Sequence, residues 1–355
     1  MLHPTQAQGT SFIHEGSPGR VIFGWGARSA IGEELARLGV ERAMIVTTPS
    51  RADLAAEIAR LILGRVGIVY PGAQPNTPTN VTEAALTAAS SVKADGLLVI
   101  GGGTAIGLSK ALSLRTNLPQ IAVPTTFAGF ENAPFLSETE RGARIARHGP
   151  SIRPRTTIYD PELVAHLPPP VAGPSAMNAM ANALDGLCAP NASPIDALAA
   201  AEALRAISAA LPRILANSGD NAAWSDALCG AWLAGVGLSA ETFHSRLCQT
   251  LVDSFGLVHA EVNCLMLPYT AAYRRDAAPG AMGKAASALR AQDAPEALYD
   301  LMQLAAARKS LRQMDVTTAE LETACDLVGA PGEPPFAGRA DILETLIAAY
   351  EGRRP

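Results

Sequence analysis

Aromatic residues are scarce in this 355-residue chain, at 5%, so its interior has to be packed with Ala, Leu, Val and Ile rather than with rings. Charge is sparse too: 17% charged against 48% hydrophobic residues is a balance that excludes intrinsic disorder. Lysine is almost missing. Of the 28 basic residues only 4 are Lys, which together with abundant Ala reflects a GC-rich coding background before any function. A formal net charge of −5 leaves no basic excess of the kind that nucleic-acid binding needs, so no nucleic-acid partner is expected. No C-x-x-C occurs. The five cysteines (Cys188, Cys229, Cys248, Cys264, Cys325) are scattered and odd in number, which suits reduced thiols in a cytoplasm. No uncharged apolar run reaches the ~18 residues of a membrane span, and the N-terminus lacks the charged-then-apolar order of a signal peptide. A soluble cytoplasmic protein without membrane contact is expected.

A single core stops growing near ~250–300 residues, so two domains are expected. The first half alternates strands without polar interruptions (Arg20–Gly24, Arg42–Thr47, Gly67–Tyr70, Gly96–Ile100, Gln120–Val123) with helices (Ser29–Leu38, Arg51–Leu63, Val81–Ser91). That texture predicts a parallel sheet covered on both faces. After about Pro161 the strand signals stop. Long Ala/Leu-rich helices are predicted over Ser175–Leu187, Pro194–Leu211, Asn221–Cys248, His259–Arg274, Pro279–Arg290 and Ala294–Leu311, with a last helix at Asp341–Tyr350 after the loop Gly332–Arg339. The triple proline Pro168–Pro170 is the natural seam. The expected fold class is therefore α/β followed by all-α: a Rossmann-like nucleotide domain over residues 1–160, a helical substrate domain over 161–355, and a cleft between them.

The chemistry starts at DGLLVIGGGTAIGLSK (Asp95–Lys110), where an apolar strand runs into Gly101, Gly102, Gly103 and Thr104 and then a helix. Successive glycines let backbone N–H groups approach an anion, and the helix N-terminus adds about half a positive charge. One glycine would suffice for a plain turn; three and a hydroxyl point to a diphosphate. The pattern is neither G-x-G-x-x-G nor a Walker loop. Thr125 and Thr126 end the next strand and would face the same crevice.

Together these blocks resemble the iron-containing alcohol dehydrogenase and dehydroquinate synthase-like superfamily, and within it the maleylacetate reductases. The resemblance runs from about Phe12 to Ala286. It rests on GGGTAIGLSKALSLRTNLPQIAVPTTFAG (Gly101–Gly129), ETERG (Glu138–Gly142), TIYDPELVAHLP (Thr157–Pro168), MNAMANALDGL (Met177–Leu187), ALCGAWLAGVGL (Ala227–Leu238) and HSRLCQTLVDSFGLVHAEVNCLMLP (His244–Pro268). It implies an NAD(P)-binding domain, a helical domain, a homodimer, and hydride transfer to the ketone or double bond of a 4-oxo-2-hexenedioate. By the same likeness Gly101, Gly102, Gly103 and Thr104 hold the diphosphate. Thr125 and Thr126 lie near the nicotinamide ribose and diphosphate, and Thr48 and Pro49 by the adenosine. Most of the superfamily has Asp where this chain has Gly107; maleylacetate reductases resemble this chain there. NAD and NADP both stay open: Arg51 suits a 2′-phosphate, and no acidic residue is at hand for a free 2′-OH.

The chain departs from the family at its metal site. Metal-dependent members place Asp and His at i and i+4 on one helix and two histidines downstream; here the four positions are Asn178, Asn182, Ser245 and His259. Two amides, a hydroxyl and one imidazole make a poor site for Zn²⁺ or Fe²⁺, so no metal is expected. Maleylacetate reductases keep more histidines, including at the positions of Gln249 and Asn263. Asn178, Asn182, Ser245, Arg246, Gln249 and Asn263 become the expected substrate-binding set, with Arg246 available to a carboxylate. His259 and His244 remain as proton donors. The arginine-rich run Arg141–Arg155 reads as a solvated or dimer-edge loop, with a clamp for an acidic ligand as the alternative. The first functional expectation is a metal-independent NAD(P)H reductase of a small oxo-acid. A repurposed lyase, cyclase or isomerase, and a catalytically silent homologue, are the alternatives.

Overall fold

In a computed structural model of the chain, residues 19–149, 151–189, 192–236, 238, 242–328 and 337–355 are described, with the backbone of 12–16. The residues divide into two compact units, 1–166 and 167–355.

In the first unit the elements run β1 (Phe12–Gly16), β2 (Gly19–Phe23), α1 (Ile31–Arg37), β3 (Ala43–Val46), α2 (Ala52–Leu61), β4 (Val66–Tyr70), α3 (Thr79–Ser91), β5 (Gly96–Gly101), α4 (Gly103–Thr116), β6 (Gln120–Pro124), β7 (Phe135–Glu140), β8 (Ala143–His148) and β9 (Thr156–Tyr159). Seven strands form one sheet in the order β1-β2-β9-β6-β5-β3-β4. All pairings are parallel except β1 on β2. Successive side chains of a strand point to opposite faces, and both faces are covered. Ile45, Leu98, Ile100, Ile121 and Val123 pack with α1 and α2, whereas Met44, Val46, Leu97, Val99 and Ala122 pack with α3 and α4. That double burial is why these strands carry no polar alternation. It also sets the ligand crevice. β3 and β5 are neighbours, yet α2 leaves β3 toward one face and α4 leaves β5 toward the other. A doubly wound sheet opens at such a switch point, at the carboxyl ends of its strands.

β1, β9 and the hairpin β7–β8 are additions to the strands predicted above. The run Arg141–Arg155, expected as a solvated or dimer-edge loop, is partly exposed and enters this hairpin through β8. Within it Arg147 pairs with the buried carboxylate of Glu138 at 3.4 Å and with Glu140 at 3.1 Å, and beyond it Arg153 Nε donates to the Asn132 carbonyl. Pro150, in the same run, lies outside the described residues.

The second unit holds α5 (Pro169–Cys188), α6 (Pro194–Ala216), α7 (Asn221–Ala234), α8 (Phe243–Phe255), α9 (His259–Ala277), α10 (Pro279–Ala288), α11 (Ala294–Ala305), α12 (Thr318–Val328) and α13 (Arg339–Glu351). Pro168 is the N-cap of α5 and Pro169 and Pro170 its first turn, where no N–H is needed. The single helix expected over Asn221–Cys248 is two. Gly235 follows α7, and Thr242 starts α8 by a capping box with Ser245, so a glycine and a cap override the shared apolar pattern. Residues 237 and 239–241, inside that expected helix, lie outside the described residues, as do 332–336 of the expected loop at Gly332–Arg339. The helix expected over Ala294–Leu311 ends at Ala305, and α12 is a further addition. No helix among the described residues is long and apolar enough to cross a membrane.

Candidate functional site

At the end of β5 the chain turns through Gly101 and Gly102 into α4. Gly102 is the N-cap of α4 and supplies no capping side chain. The first intrahelical bond is Ile106 N–H to the Gly102 carbonyl at 3.1 Å, so the N–H groups of Gly103, Thr104 and Ala105 precede every i→i−4 acceptor. N–H groups placed in this way at a helix start suit an anion. Glycine at 102 lets the loop meet Thr126 as it stands, since a Cβ there would lie 2.9 Å from Thr126 Oγ1. The two strand ends are laced together: Thr125 N–H donates to the Gly101 carbonyl at 3.1 Å, and Thr47 Oγ1 donates to the Ile100 carbonyl at 2.7 Å. The Thr125 hydroxyl is buried and meets no hydrogen-bond partner among the described residues. A buried hydroxyl left unbonded costs about 1–3 kcal/mol, a penalty that a ligand with a polar atom at this position removes. Thr48 is half-buried with its hydroxyl on Ser50, and Pro49 is exposed at the start of the following turn. Gly101–Thr104, Thr125, Thr126, Thr48 and Pro49 thus all stand at the carboxyl ends of β3, β5 and β6, where the switch point opens.

Two features of this unit escaped the sequence reading. Gly107 faces Thr77, whose Oγ1 would stand 2.5 Å from a Cβ at 107. Thr77 is buried at φ 46°, a region β-branched residues avoid, after a turn in which Asn76 at φ 63° follows Pro75. The hairpin clamps that turn. Thr139 N–H donates to the Thr77 carbonyl at 3.2 Å, and Thr139 Oγ1 to the Asn76 carbonyl at 3.1 Å. A glycine at 107 is what the close approach demands. The second feature is a buried charge cluster. Lys110 Nζ donates to the carbonyls of Phe130, Ala133 and Phe135 and lies 4.1 Å from the Phe130 ring centroid. Burial pulls its pKa down, but three acceptors for three N–H donors are what an ammonium needs. Glu131 accepts from the Tyr159 hydroxyl, and burial raises its pKa. The signal available for Lys110 was its rarity: a lysine kept inside an apolar helix of an arginine-rich chain.

In the second unit, α5 is buried at every residue from Ala172 to Leu187 except Asn178 and Asn182, which are half-buried. Their i, i+4 spacing puts both amides on one stripe of an otherwise enclosed helix. α8 and α9 bring His244 and Asn263 together. His244 Nε2 lies 3.0 Å from Asn263 Oδ1 and Nδ1 lies 2.8 Å from Thr270 Oγ1. His244 is enclosed, and burial lowers its pKa. His259 is exposed at the first position of α9, and its carbonyl accepts from Asn263 Nδ2 at 2.8 Å. Ser245 Oγ is occupied in the α8 capping box, accepting from Thr242 N–H at 2.9 Å. Gln249 Nε2 donates to Asp253 on its own helix, and Arg246 is half-buried. The sequence reading missed the buried pair that braces these helices: Arg274 of α9 meets Asp185 of α5 at 2.6 Å, and Thr242 Oγ1 donates to the other Asp185 oxygen at 2.7 Å.

Comparison with known proteins bears on what such an arrangement serves. Residues 18–161 match the iron-containing alcohol dehydrogenase family, and residues 173–350 match the C-terminal domain of the same family. The chain belongs to the iron-containing alcohol dehydrogenase family. Among its relatives, maleylacetate reductase of Pseudomonas aeruginosa is 38% identical over 97% of this chain and 99% of its own, and that of a Rhizobium species is 39% identical over the same shares. The crystal structure of maleylacetate reductase from Agrobacterium tumefaciens superposes with a TM-score of 0.90 at 35% identity, over 99% of this chain and 100% of that one. The chain is an oxidoreductase of this family, and the expected order of an α/β part followed by an all-helical part stands.

An iron-containing family implies a divalent ion, and the residues here do not fit one. The four corresponding positions supply the amides of Asn178 and Asn182, the Ser245 hydroxyl already committed to a helix cap, and the single imidazole of His259. Among the described residues no three His, Cys, Asp or Glu side chains converge as a ligand set. Neutral amide and hydroxyl oxygens are weak donors for Zn²⁺ or Fe²⁺.

Proposed function

We propose that the chain is an NAD(P)H-dependent reductase of a small oxo-acid of the maleylacetate type, working as a homodimer and without a catalytic divalent metal. The observation that carries the reading is the near full-length identity with maleylacetate reductases, 38% over 97% of the chain, joined to an intact nucleotide crevice. The bound nicotinamide would supply the hydride. Gly102, Gly103 and Thr104 would take the diphosphate on backbone N–H groups, and the orphaned Thr125 hydroxyl, with Thr126, would take a polar group of the nucleotide. The amides of Asn178 and Asn182 would hold a substrate oxygen where metal-dependent members use an ion. Arg246 would meet a carboxylate. His259 is exposed and of the side-chain type that exchanges protons near neutrality, so it would deliver the proton to the nascent alkoxide or carbon.

Purified protein incubated with NADH or NADPH is expected to melt at a higher temperature, and to oxidise one of them when maleylacetate is added. Absence of both effects at millimolar nucleotide overturns the reading. Exhaustive chelation is expected to leave the rate unchanged; a loss restored by added Fe²⁺ or Zn²⁺ would overturn the metal-free part alone.

A further inference from the structure

The polar contacts between α8 and α9 fix the protonation of one group and the orientation of another. The His259 carbonyl can only accept, so the group of Asn263 that faces it at 2.8 Å is the NH₂ end of the amide. Oδ1 of the same amide therefore faces His244 Nε2 at 3.0 Å, and Nε2 must carry a proton. The groups around the ring are Thr270 and Asn263 of α9 and Cys248 of its own helix, whose Sγ lies 3.6 Å from Nε2. The charges of Asp185 and Arg274 act on it with opposite signs. Burial disfavours the imidazolium, and the bare Nδ1 then takes the one hydroxyl proton of Thr270 at 2.8 Å in place of the Met266 and Leu267 carbonyls, which lie 3.1 and 3.2 Å from the same Oγ1. Both ring nitrogens are thus spent inside the protein, and His244 has no proton to give a substrate.

Asn263 is different. Its amide has two N–H donors and, among the described residues, one acceptor, the His259 carbonyl. We propose that Asn263 orients the substrate, donating its second N–H to a carbonyl or carboxylate oxygen of the oxo-acid, and that His244 is the positioning residue that turns the amide this way. A reversed amide would set NH₂ against the Nε2 proton and two oxygens against each other at His259, so the orientation is held at both ends. The substrate class rests on the oxo-acid reading above; the tautomer and the amide orientation do not.

The test measures binding of maleylacetate by calorimetry in the presence of oxidised nucleotide, so that no turnover is needed. Asn263→Asp keeps the shape and removes both donors. It is expected to weaken maleylacetate at least tenfold while nucleotide affinity stays within twofold. Asn263→His, which restores an N–H donor, is expected to recover most of the loss. In parallel, ¹⁵N shifts of His244 in the wild-type protein are expected to report the neutral Nε2–H tautomer at pH 7. In Asn263→Asp the new carboxylate is expected to raise the His244 pKa. Unchanged maleylacetate affinity in Asn263→Asp, or a wild-type His244 that is an imidazolium or an Nδ1–H tautomer, overturns the proposal. Wild-type protein that binds maleylacetate without oxidising NADH or NADPH overturns the reductase reading alone, because the binding measurements still decide the role of Asn263.

Discussion

At Gly102 one hydrogen atom decides whether two loops can meet. The Cβ of an alanine would stand 2.9 Å from Thr126 Oγ1 and 3.0 Å from its Cγ2, so either the threonine rotates away or the loop opens. Gly102→Ala is therefore expected to weaken NADH or NADPH at least tenfold, about 1.4 kcal/mol, with little loss of stability. Fluorescence titration of the nucleotide checks it. His244 carries a prediction of another kind. Its folded pKa lies below the ordinary 6.5 because the ring is buried, so between the two values the unfolded chain holds the extra proton. Stability contributed at neutral pH is then lost as pH falls below 6.5, at up to about 1.4 kcal/mol per unit. Glu131, raised by burial, works in the opposite sense at lower pH. The His244 part must be isolated by difference: urea melts from pH 7 to 5 are expected to show a shallower fall in His244→Gln than in the wild-type protein. Equal slopes would mean that the imidazole accepts a proton inside the fold at no penalty.

Single elements show where sequence patterns were legible and where they were not. β5 and β6 could be read at once, because strands buried on both faces are almost wholly apolar, with only Gln120 at the start of β6 polar, and three glycines after β5 exceed what a plain turn needs. The i, i+4 amides of α5 could be read for the same geometric reason. Thr77 could not: nothing in Gln74–Thr77 announces that a threonine will be forced to φ 46° by a hairpin more than fifty residues downstream. The break between α7 and α8 was missed because their apolar periods look continuous, and the Thr242–Ser245 box is a weaker signal than that periodicity. The box also explains why Ser245, expected among the substrate ligands, has its hydroxyl engaged locally. Thr242 does two jobs at this element, capping α8 and donating to the buried Asp185 carboxylate. Thr242→Ala should lose a cap of about 1 kcal/mol and a charge-assisted hydrogen bond of about 1.5–3 kcal/mol. Arg274→Met should cost more, about 3–5 kcal/mol, since it strands Asp185 without its cation. Adding Asp185→Leu to Arg274→Met should return part of that loss. Urea unfolding of the three variants tests the order; a double variant less stable than Arg274→Met would show that Asp185 is supported by more than its two partners here.

Across the whole molecule the proposed tasks fall in different units. Gly102–Thr104, Thr125 and Thr126, proposed for the nucleotide, lie in residues 1–166, and Asn178, Asn182, His244, His259 and Asn263 lie in 167–355. A ligand that binds only the folded state stabilises it by about 2.7 kcal/mol at one hundred times its Kd. If residues 1–166 melt as their own cooperative unit, that free energy corresponds to a rise of roughly 5–11 °C, from about 2–4 °C per kcal/mol for a unit of this size. If all 355 residues melt together, the unfolding entropy about doubles and the rise about halves. The tryptophans separate the two cases, because Trp25 lies in the first unit and Trp224 and Trp232 in the second. In a Trp224→Phe/Trp232→Phe variant, fluorescence reports the first unit alone. Its transition is expected to rise with NADH or NADPH, whereas Trp25→Phe protein, read through Trp224 and Trp232, reports whether the second unit follows. Nucleotide that moves the Trp224 and Trp232 transition and leaves the Trp25 transition in place would put the binding site outside the glycine loop.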